Sequence, residues 1–150
     1  MRIVLLEPEI PQNTGSIARL AAAVATPLDL IEPLGFSLED RYLKRAGLDY
    51  WPLVDLTVHR DWASYRAGPH EGRLLGFSTR ARRSYTDCRF RHQDRLLFGK
   101  ETKGLGDAVL AELGQAVYTI PMAQPGVRSL NLANAVSIVV YEARRQLDLL

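Results

Sequence analysis

Sulfur and imidazole are scarce in this sequence, and their scarcity excludes several kinds of site. Cys88 is the one cysteine among 150 residues. The chain therefore cannot form an internal disulfide, and we expect a cytoplasmic protein. The three histidines, His59, His70 and His92, show no spacing typical of metal ligands, which predicts that no metal is bound.

Long apolar runs and two catalytic signatures are also missing. No apolar run approaches the roughly 18 residues of a membrane span, and Glu7 and Pro8 come too early for a signal peptide. No Gly-x-Ser-x-Gly occurs, and Val109 replaces the third glycine of a dinucleotide fingerprint that begins at Gly104 and Gly106. These absences argue against a membrane protein, a serine hydrolase of the usual kind and an ordinary dinucleotide enzyme.

What is present is the composition of a globular domain, with 47% hydrophobic and 24% charged residues. The length predicts a single domain over residues 1–150. Short β-rich runs alternate with helical stretches, which predicts an α/β fold with a parallel sheet covered by helices. The predicted strands are Ile3–Leu6, Leu28–Ile31, Leu53–Val58, Leu74–Ser78, Leu96–Phe98 and Val117–Ile120. The predicted helices are residues 13–24, 39–46, 61–67, 107–113 and a last helix from Ser129, with Asn13 and Ser129 as candidate N-caps.

Charge is distributed unevenly although the net value is only +2. Residues 1–40 carry six acids against two arginines, a balance of −4, whereas residues 73–95 carry seven arginines against two aspartates, a balance of +5. Residues 79–95 lack periodicity and are predicted to form an exposed loop. A basic block of this kind suits RNA phosphate, but a merely solvated loop explains it equally well.

The last predicted helix is apolar nearly all round between Ser129 and Tyr141. A terminal helix of a small domain normally exposes one polar face to solvent. Because this helix has no polar face, we expect its second apolar face to be buried in a homodimer interface. A charge at Val139 is then expected to separate the subunits. Arg144 and Arg145 fall in its last turn, where cations complement the helix dipole.

Three turns marked by glycine or proline each follow a predicted strand, at residues 9–15, 98–106 and 121–131. Loops at the carboxyl ends of parallel strands are the usual ligand site of such folds. The segments 13–19, 97–105 and 120–136, in this order, resemble the SPOUT superfamily of RNA methyltransferases, in its 2′-O-methylating SpoU branch. Segments 7–11, 31–36 and 45–50 are similar to the short members of that branch that act on the wobble nucleotide of tRNA.

The resemblance covers essentially the whole chain and implies a C-terminal trefoil knot, S-adenosylmethionine as cofactor with S-adenosylhomocysteine as product, and an obligate homodimer. It also implies methyl transfer to the 2′-hydroxyl of cytidine or uridine 34 in the anticodon stem-loop of certain tRNAs, leucine acceptors above all. Ribosomal RNA as substrate, a non-catalytic RNA-binding protein of this fold, and a nucleotide binder without RNA contact are the alternatives.

The resemblance assigns residues to two roles. The cofactor contacts it implies are Phe77, Gly99, Ile120, Met122, Ser129, Leu130 and Asn134. The catalytic residues it implies are Arg19, Asn13 and Glu101. Arg19 lies off the apolar stripe of its helix, so we expect its guanidinium to be exposed and to contact phosphate. Asn13 is expected to cap its helix or to orient Arg19, and Glu101 either pairs with Arg19 or is solvated.

Overall fold

The computed structural model describes residues 1–47 and 49–150; Leu48, which belongs to the family-like segment 45–50, lies outside this description. Seven parallel strands form one sheet in the order β3-β2-β1-β6-β4-β7-β5. The strands are β1 Arg2–Leu6, β2 Leu28–Ile31, β3 Leu56–His59, β4 Leu74–Phe77, β5 Arg83–Ser84, β6 Arg95–Phe98 and β7 Val117–Thr119. The helices are α1 Pro11–Ala23, α2 Arg41–Gly47, α3 Trp62–Ala67, α4 Asp107–Leu113 and α5 Leu132–Gln146. The predicted parallel α/β fold is confirmed.

The sheet is buried on both faces because helices cover each of them. Side chains of α1 and α5, such as Ile17 and Val140, pack against one face. Tyr65 of α3 packs on the other face, with α4 beside it. Strands buried on both faces have no polar side, which explains why the central strands read as continuous apolar runs. The order of the strands brings the ends of β4, β6 and β7 together.

Both predicted helix caps are wrong. Helix α1 begins at Pro11, with Ile10 in the capping position, because proline has no backbone N–H to satisfy in a first turn. Asn13 lies inside that turn and is buried. Helix α5 begins at Leu132 and is capped by Asn131, whose side-chain oxygen accepts hydrogen bonds from two backbone N–H groups. Ser129 precedes this cap and is exposed.

The arginine-rich segment is more ordered than a loop. It contains β5 and a 3-10 turn over Tyr85–Asp87, in which Ser84 and Asp87 form a capping box. Cys88 and Phe90 are buried in the core. Burial of these two side chains anchors the segment, so the prediction of an exposed loop is wrong for its second half.

Helix α5 presents two different faces. Val139 is fully buried in the core, whereas Ile138 and Tyr141 are partly exposed on the opposite side. A charge at Val139 would therefore disrupt the core of one chain rather than an interface between two chains. No helix of the described residues has the length and hydropathy needed to cross a membrane. The trefoil knot stays a prediction that comes from the family resemblance.

Candidate active site

The carboxyl ends of β4, β6 and β7 border a cavity of about 680 Å³. This volume is within the range of about 300–1,000 Å³ that small-molecule sites occupy. The lining residues are Ile10, Asn13, Phe77, Ser78, Thr79, Arg80, Phe98, Gly99, Lys100, Glu101, Thr102, Lys103, Gly104, Ile120, Met122, Arg128, Ser129, Leu130, Asn131, Leu132 and Ala135. All three segments singled out in the sequence meet at this cavity.

Glu101 links the loop after β6 to the start of α1. Its carboxylate accepts hydrogen bonds from the backbone N–H of Glu9 at 2.8 Å and of Ile10 at 3.1 Å, and from Asn13 Nδ2 at 3.2 Å. A carboxylate that accepts three N–H donors is satisfied without a cation. Glu101 is therefore neither a partner of Arg19 nor a freely solvated acid.

Asn13 and Asn131 extend this connection to α5. Asn13 Oδ1 accepts a hydrogen bond of 2.8 Å from Asn131 Nδ2. Asn131 Oδ1 then accepts from the backbone N–H of Ala133 at 2.9 Å and of Asn134 at 3.2 Å. The chain of bonds from Glu101 through Asn13 to Asn131 joins three segments that are far apart in sequence. Asn13 thus orients loops, and no bond from it to Arg19 is formed within the described residues.

Two further contacts fix the same loop. Lys100 Nζ lies 2.5 Å from a carboxylate oxygen of Glu7, and this hydrogen bond raises the pKa of Lys100. Glu7 follows β1 with a φ of 52°, in the left-handed region. The Glu9 carboxylate accepts from the backbone N–H of Thr102 at 3.0 Å and from its hydroxyl. The acids of the N-terminal region therefore hold the cavity loop in place.

Gly99 is needed where the loop leaves β6. A side-chain Cβ built there would lie 2.1 Å from the carbonyl carbon of Gly104 and 2.4 Å from the backbone nitrogen of Leu105. The loop folds back so closely that only glycine fits without a shift of the backbone. Gly99 shapes one wall of the cavity through this close approach.

Six of the seven predicted cofactor residues border the cavity, namely Phe77, Gly99, Ile120, Met122, Ser129 and Leu130. Asn134 is exposed on α5 and is not among the residues that line the cavity. Its neighbour in the cap, Asn131, borders the cavity instead. Sequence reasoning missed Asn131, although an asparagine directly before a helical stretch is a common cap.

Arg19 is exposed on α1, as predicted, but lies outside the cavity of its own chain. Its guanidinium carbon is 4.9 Å from the centre of the Tyr50 ring. This cation–π contact orients the side chain, and no ion pair within residues 1–47 and 49–150 occupies its N–H donors, so they can bind an anion. Arg19 and Glu101 are not brought together.

Sequence comparison places the chain among known proteins. A family profile described as the SpoU rRNA Methylase family matches residues 1–141. The chain belongs to the SpoU methylase family. A tRNA (cytidine(34)-2′-O)-methyltransferase of Escherichia coli K12 is 44% identical over 98% of this chain and 94% of its own. The enzyme of the same name from Burkholderia pseudomallei is 46% identical over 96% and 94%.

Two solved structures have the same fold as this chain. One, described as giving structural insights into the 2-OH methylation of C/U34 on tRNA, has a TM-score of 0.92 and 53% identity, covering 98% of this chain and 95% of its own. The other is the SpoU methyltransferase AviRb of Streptomyces viridochromogenes in complex with AdoMet. It has a TM-score of 0.83 and 28% identity over 99% of this chain and 60% of that one.

The residues that line the cavity of this SpoU methylase fit AdoMet by their chemistry. Its walls combine apolar side chains, such as Ile120 and Leu130, with backbone groups at the ends of three strands, a mixture that fits an adenine and a ribose. Lys103 and Arg128 also line the cavity and are exposed, so their positive charges suit the carboxylate of the methionine part of AdoMet. No cluster of metal-ligating side chains occurs in residues 1–47 and 49–150.

Proposed function

We propose that this SpoU methylase transfers a methyl group from S-adenosylmethionine to the 2′-hydroxyl of the wobble nucleotide, cytidine or uridine 34, of tRNA, leucine acceptors above all. The observation that carries this proposal is the bonded chain Glu101–Asn13–Asn131, which unites the three family segments around one cavity. The names of relatives at 44% and 46% identity, matched over nearly their full lengths, support the substrate.

The cofactor residues act mainly through shape and backbone groups. Phe77, Gly99 and Ile120 end or follow the three strands that border the cavity, so their backbone groups suit the edges of an adenine and a ribose. Leu130 offers an apolar surface, and Met122 and Ser129 complete that side. S-adenosylmethionine supplies a methyl group already activated on a sulfonium, with S-adenosylhomocysteine as product. The cationic charge falls during transfer, so alignment of the two reactants carries much of the rate.

Arg19 is the residue we assign to the RNA. A guanidinium stays protonated, so Arg19 binds a phosphate and stabilises the developing alkoxide, while the proton of the ribose hydroxyl leaves to another group. Asn13 and Glu101 act by positioning the loop between β6 and α4 against α1, through the three hydrogen bonds to the Glu101 carboxylate. Asn134 stays a prediction of the family resemblance, since it is exposed beside the cavity residues Asn131 and Ala135 without lining the cavity itself.

A homodimer through α5 is part of the same proposal. Ile138 and Tyr141 are 36% and 49% exposed on the face of α5 that leaves the core. Leu132 and Ala135, at the start of α5, border the cavity, so a partner packed on that helix lies beside the site. We expect Ile138→Glu to yield monomers on a sizing column with the fold intact. A dimer that survives this change contradicts the interface.

The test of the activity is methyl transfer from labelled S-adenosylmethionine to total tRNA from a strain that lacks this gene, followed by digestion to nucleosides. We expect label in 2′-O-methylcytidine or 2′-O-methyluridine, mapped to position 34. Because tRNA is its proposed substrate, we expect the protein to act in the cytoplasm. Label in a methylated base overturns the reaction. No label in tRNA, together with label in ribosomal RNA supplied in a parallel assay, favours the alternative substrate that the family description carries.

Arg19→Ala is the decisive variant. We expect it to abolish methyl transfer and to leave the affinity for S-adenosylmethionine, measured by calorimetry, nearly unchanged. The matched control is Arg66→Ala, which removes another arginine stacked on an aromatic ring, 5.7 Å from the Trp62 centroid, on the opposite face of the sheet. Full turnover by Arg19→Ala contradicts the role assigned to Arg19.

A further inference from the structure

The arginine block of residues 73–95 is divided between two ends of the sheet. Arg73 and Arg95 lie at the amino ends of β4 and β6, where Arg73 forms a bidentate pair with Asp94 and Arg95 is buried. Arg80, Arg82 and Arg83 follow the carboxyl end of β4 instead. The basic block is therefore not one surface, and only its middle part, residues 80–83, lies at the end of the sheet that borders the cavity.

Residues 80–83 line a second groove, about 740 Å³ in volume, which lies between this segment and α4. Leu110, Gln115 and Val117 form its other wall. Arg80 borders both the groove and the cofactor cavity, so the two are adjacent. A strand of nucleic acid whose target ribose enters the cavity can continue into this groove.

The three guanidinium groups differ in how they are held. Arg83 lies 4.7 Å from the centre of the Tyr118 ring and donates to the carbonyl of Gln115 at 3.1 Å, which fixes its direction. Arg80 pairs with Asp107 at 2.5 Å, but both side chains are largely exposed, at 59% and 87%. Such a pair is held weakly, so a phosphate can replace the carboxylate.

Arg82 is exposed and takes part in no ion pair among the residues that the structure describes. We propose that the groove formed by Arg80, Arg82 and Arg83 binds the phosphate backbone of the RNA next to the methylated nucleotide, with Arg82 as its main contact. This inference rests on the proposed function, because it takes RNA as the substrate. Planar guanidinium groups bind phosphate through two parallel N–H bonds, and contacts of this kind fix register without reading sequence.

The test measures the affinity for a synthetic anticodon stem-loop by fluorescence anisotropy at several salt concentrations. We expect Arg82→Ala to weaken binding roughly threefold and Arg82→Glu about tenfold, and to reduce the slope of log K against log salt by about 0.7–1 for each lost contact. The affinity for S-adenosylmethionine is the control for folding and is expected to stay unchanged.

Arg91→Ala is the matched control, because Arg91 belongs to the same basic block and is exposed at the other end of the sheet. Equal losses in Arg82→Ala and Arg91→Ala overturn the groove, since they indicate a response to total charge. No loss in either Arg82 variant overturns it as well. Wild-type protein that fails to bind or methylate any RNA overturns the proposed function itself, so the two failures are distinguishable.

Discussion

The two ends of one parallel sheet use polar side chains in opposite ways. At the amino ends of the strands, Asp94 is 1% exposed and accepts two hydrogen bonds from the Arg73 guanidinium. Asp29 is 2% exposed and pairs with Arg2 at 2.7 Å. These groups satisfy one another. At the carboxyl ends, the Glu101 carboxylate binds backbone N–H groups of a distant segment and leaves a cavity beside it.

The partners of a charged residue therefore indicate whether it contributes to stability or to function. A buried ion pair that loses one partner leaves an uncompensated charge, so the amino end contributes to folding. Hydrogen bonds from the backbone N–H groups of Glu9 and Ile10 to the Glu101 carboxylate contribute mainly to the position of the cavity walls. Substitutions at the two ends should therefore separate the affinity for the cofactor from the free energy of unfolding.

Gly99→Ala is expected to have the largest effect, at the carboxyl end. Its Cβ would overlap the backbone of Gly104 and Leu105, so the loop must move and the cavity wall with it. We expect methyl transfer to fall at least about a hundredfold, because misplacement of the reactants by an ångström costs about this much in rate. Calorimetry should show a reduced affinity for S-adenosylmethionine, because the cavity wall has moved.

Gly114→Ala is the control for this change. Gly114 caps α4 with a φ of 56° and has no atom within 4 Å of a built Cβ. Alanine there costs about 1–2 kcal/mol of stability through the left-handed backbone alone, and the cofactor affinity should be retained. Equal loss of cofactor affinity in both glycine variants would show that general destabilisation, not the wall, is responsible.

Arg73→Ala tests the amino end. Asp94 would stay buried with its bond to the backbone N–H of Arg91 but without its cation. We expect the free energy of unfolding in urea to fall by about 2–3 kcal/mol, less than for a fully buried pair because Arg73 is about one-third exposed. Cofactor affinity at low temperature should be that of the wild type. Arg91→Ala, at the same end, should change stability by less than about 0.5 kcal/mol.

The strands and the parallel sheet follow from the sequence because buried strands read as apolar runs of the right length. The loops at the carboxyl ends of these strands are predictable as a ligand site for the same reason. The individual contacts Phe77 and Ile120 are implied by the family resemblance. The role of Asn13 is not predictable, because its partners Glu101 and Asn131 are 88 and 118 residues away. An asparagine before a helical stretch predicts a local N-cap, but the Asn13 side chain instead forms hydrogen bonds with distant residues. Local spacing carries no information on such bonds.

The same limit explains the arginine block. The sequence pattern around Arg73 and Arg82 does not distinguish their roles. Arg73 is held by the buried Asp94, whereas Arg82 is exposed and forms no ion pair within the described residues. Which end of the sheet each arginine reaches depends on where β4 begins and ends. The strand boundary, rather than the charge pattern, separates structural from functional arginines.

His70 gives the smallest expected effect and sharpens the comparison at the amino end. It lies in the loop before β4, with its ring 4.2 Å from that of Tyr65, and burial lowers its pKa below the ordinary 6.5. The unfolded chain then binds more protons than the folded one between the two pKa values. Stability is unaffected by His70 above about pH 7.5 and falls as the pH drops through 6.5 toward the lower, folded-state pKa.

His70→Gln removes this titration and keeps an N–H donor for the carbonyl of Tyr65, which His70 Nε2 contacts at 2.5 Å. We expect the urea midpoint of the wild type to decline more than that of the variant between about pH 7.5 and pH 5.5. The other two histidines are common to both proteins, so the difference isolates His70. Parallel pH curves contradict the lowered pKa. Cofactor affinity should show no such difference, because His70 acts at the end of the sheet that the cavity does not use.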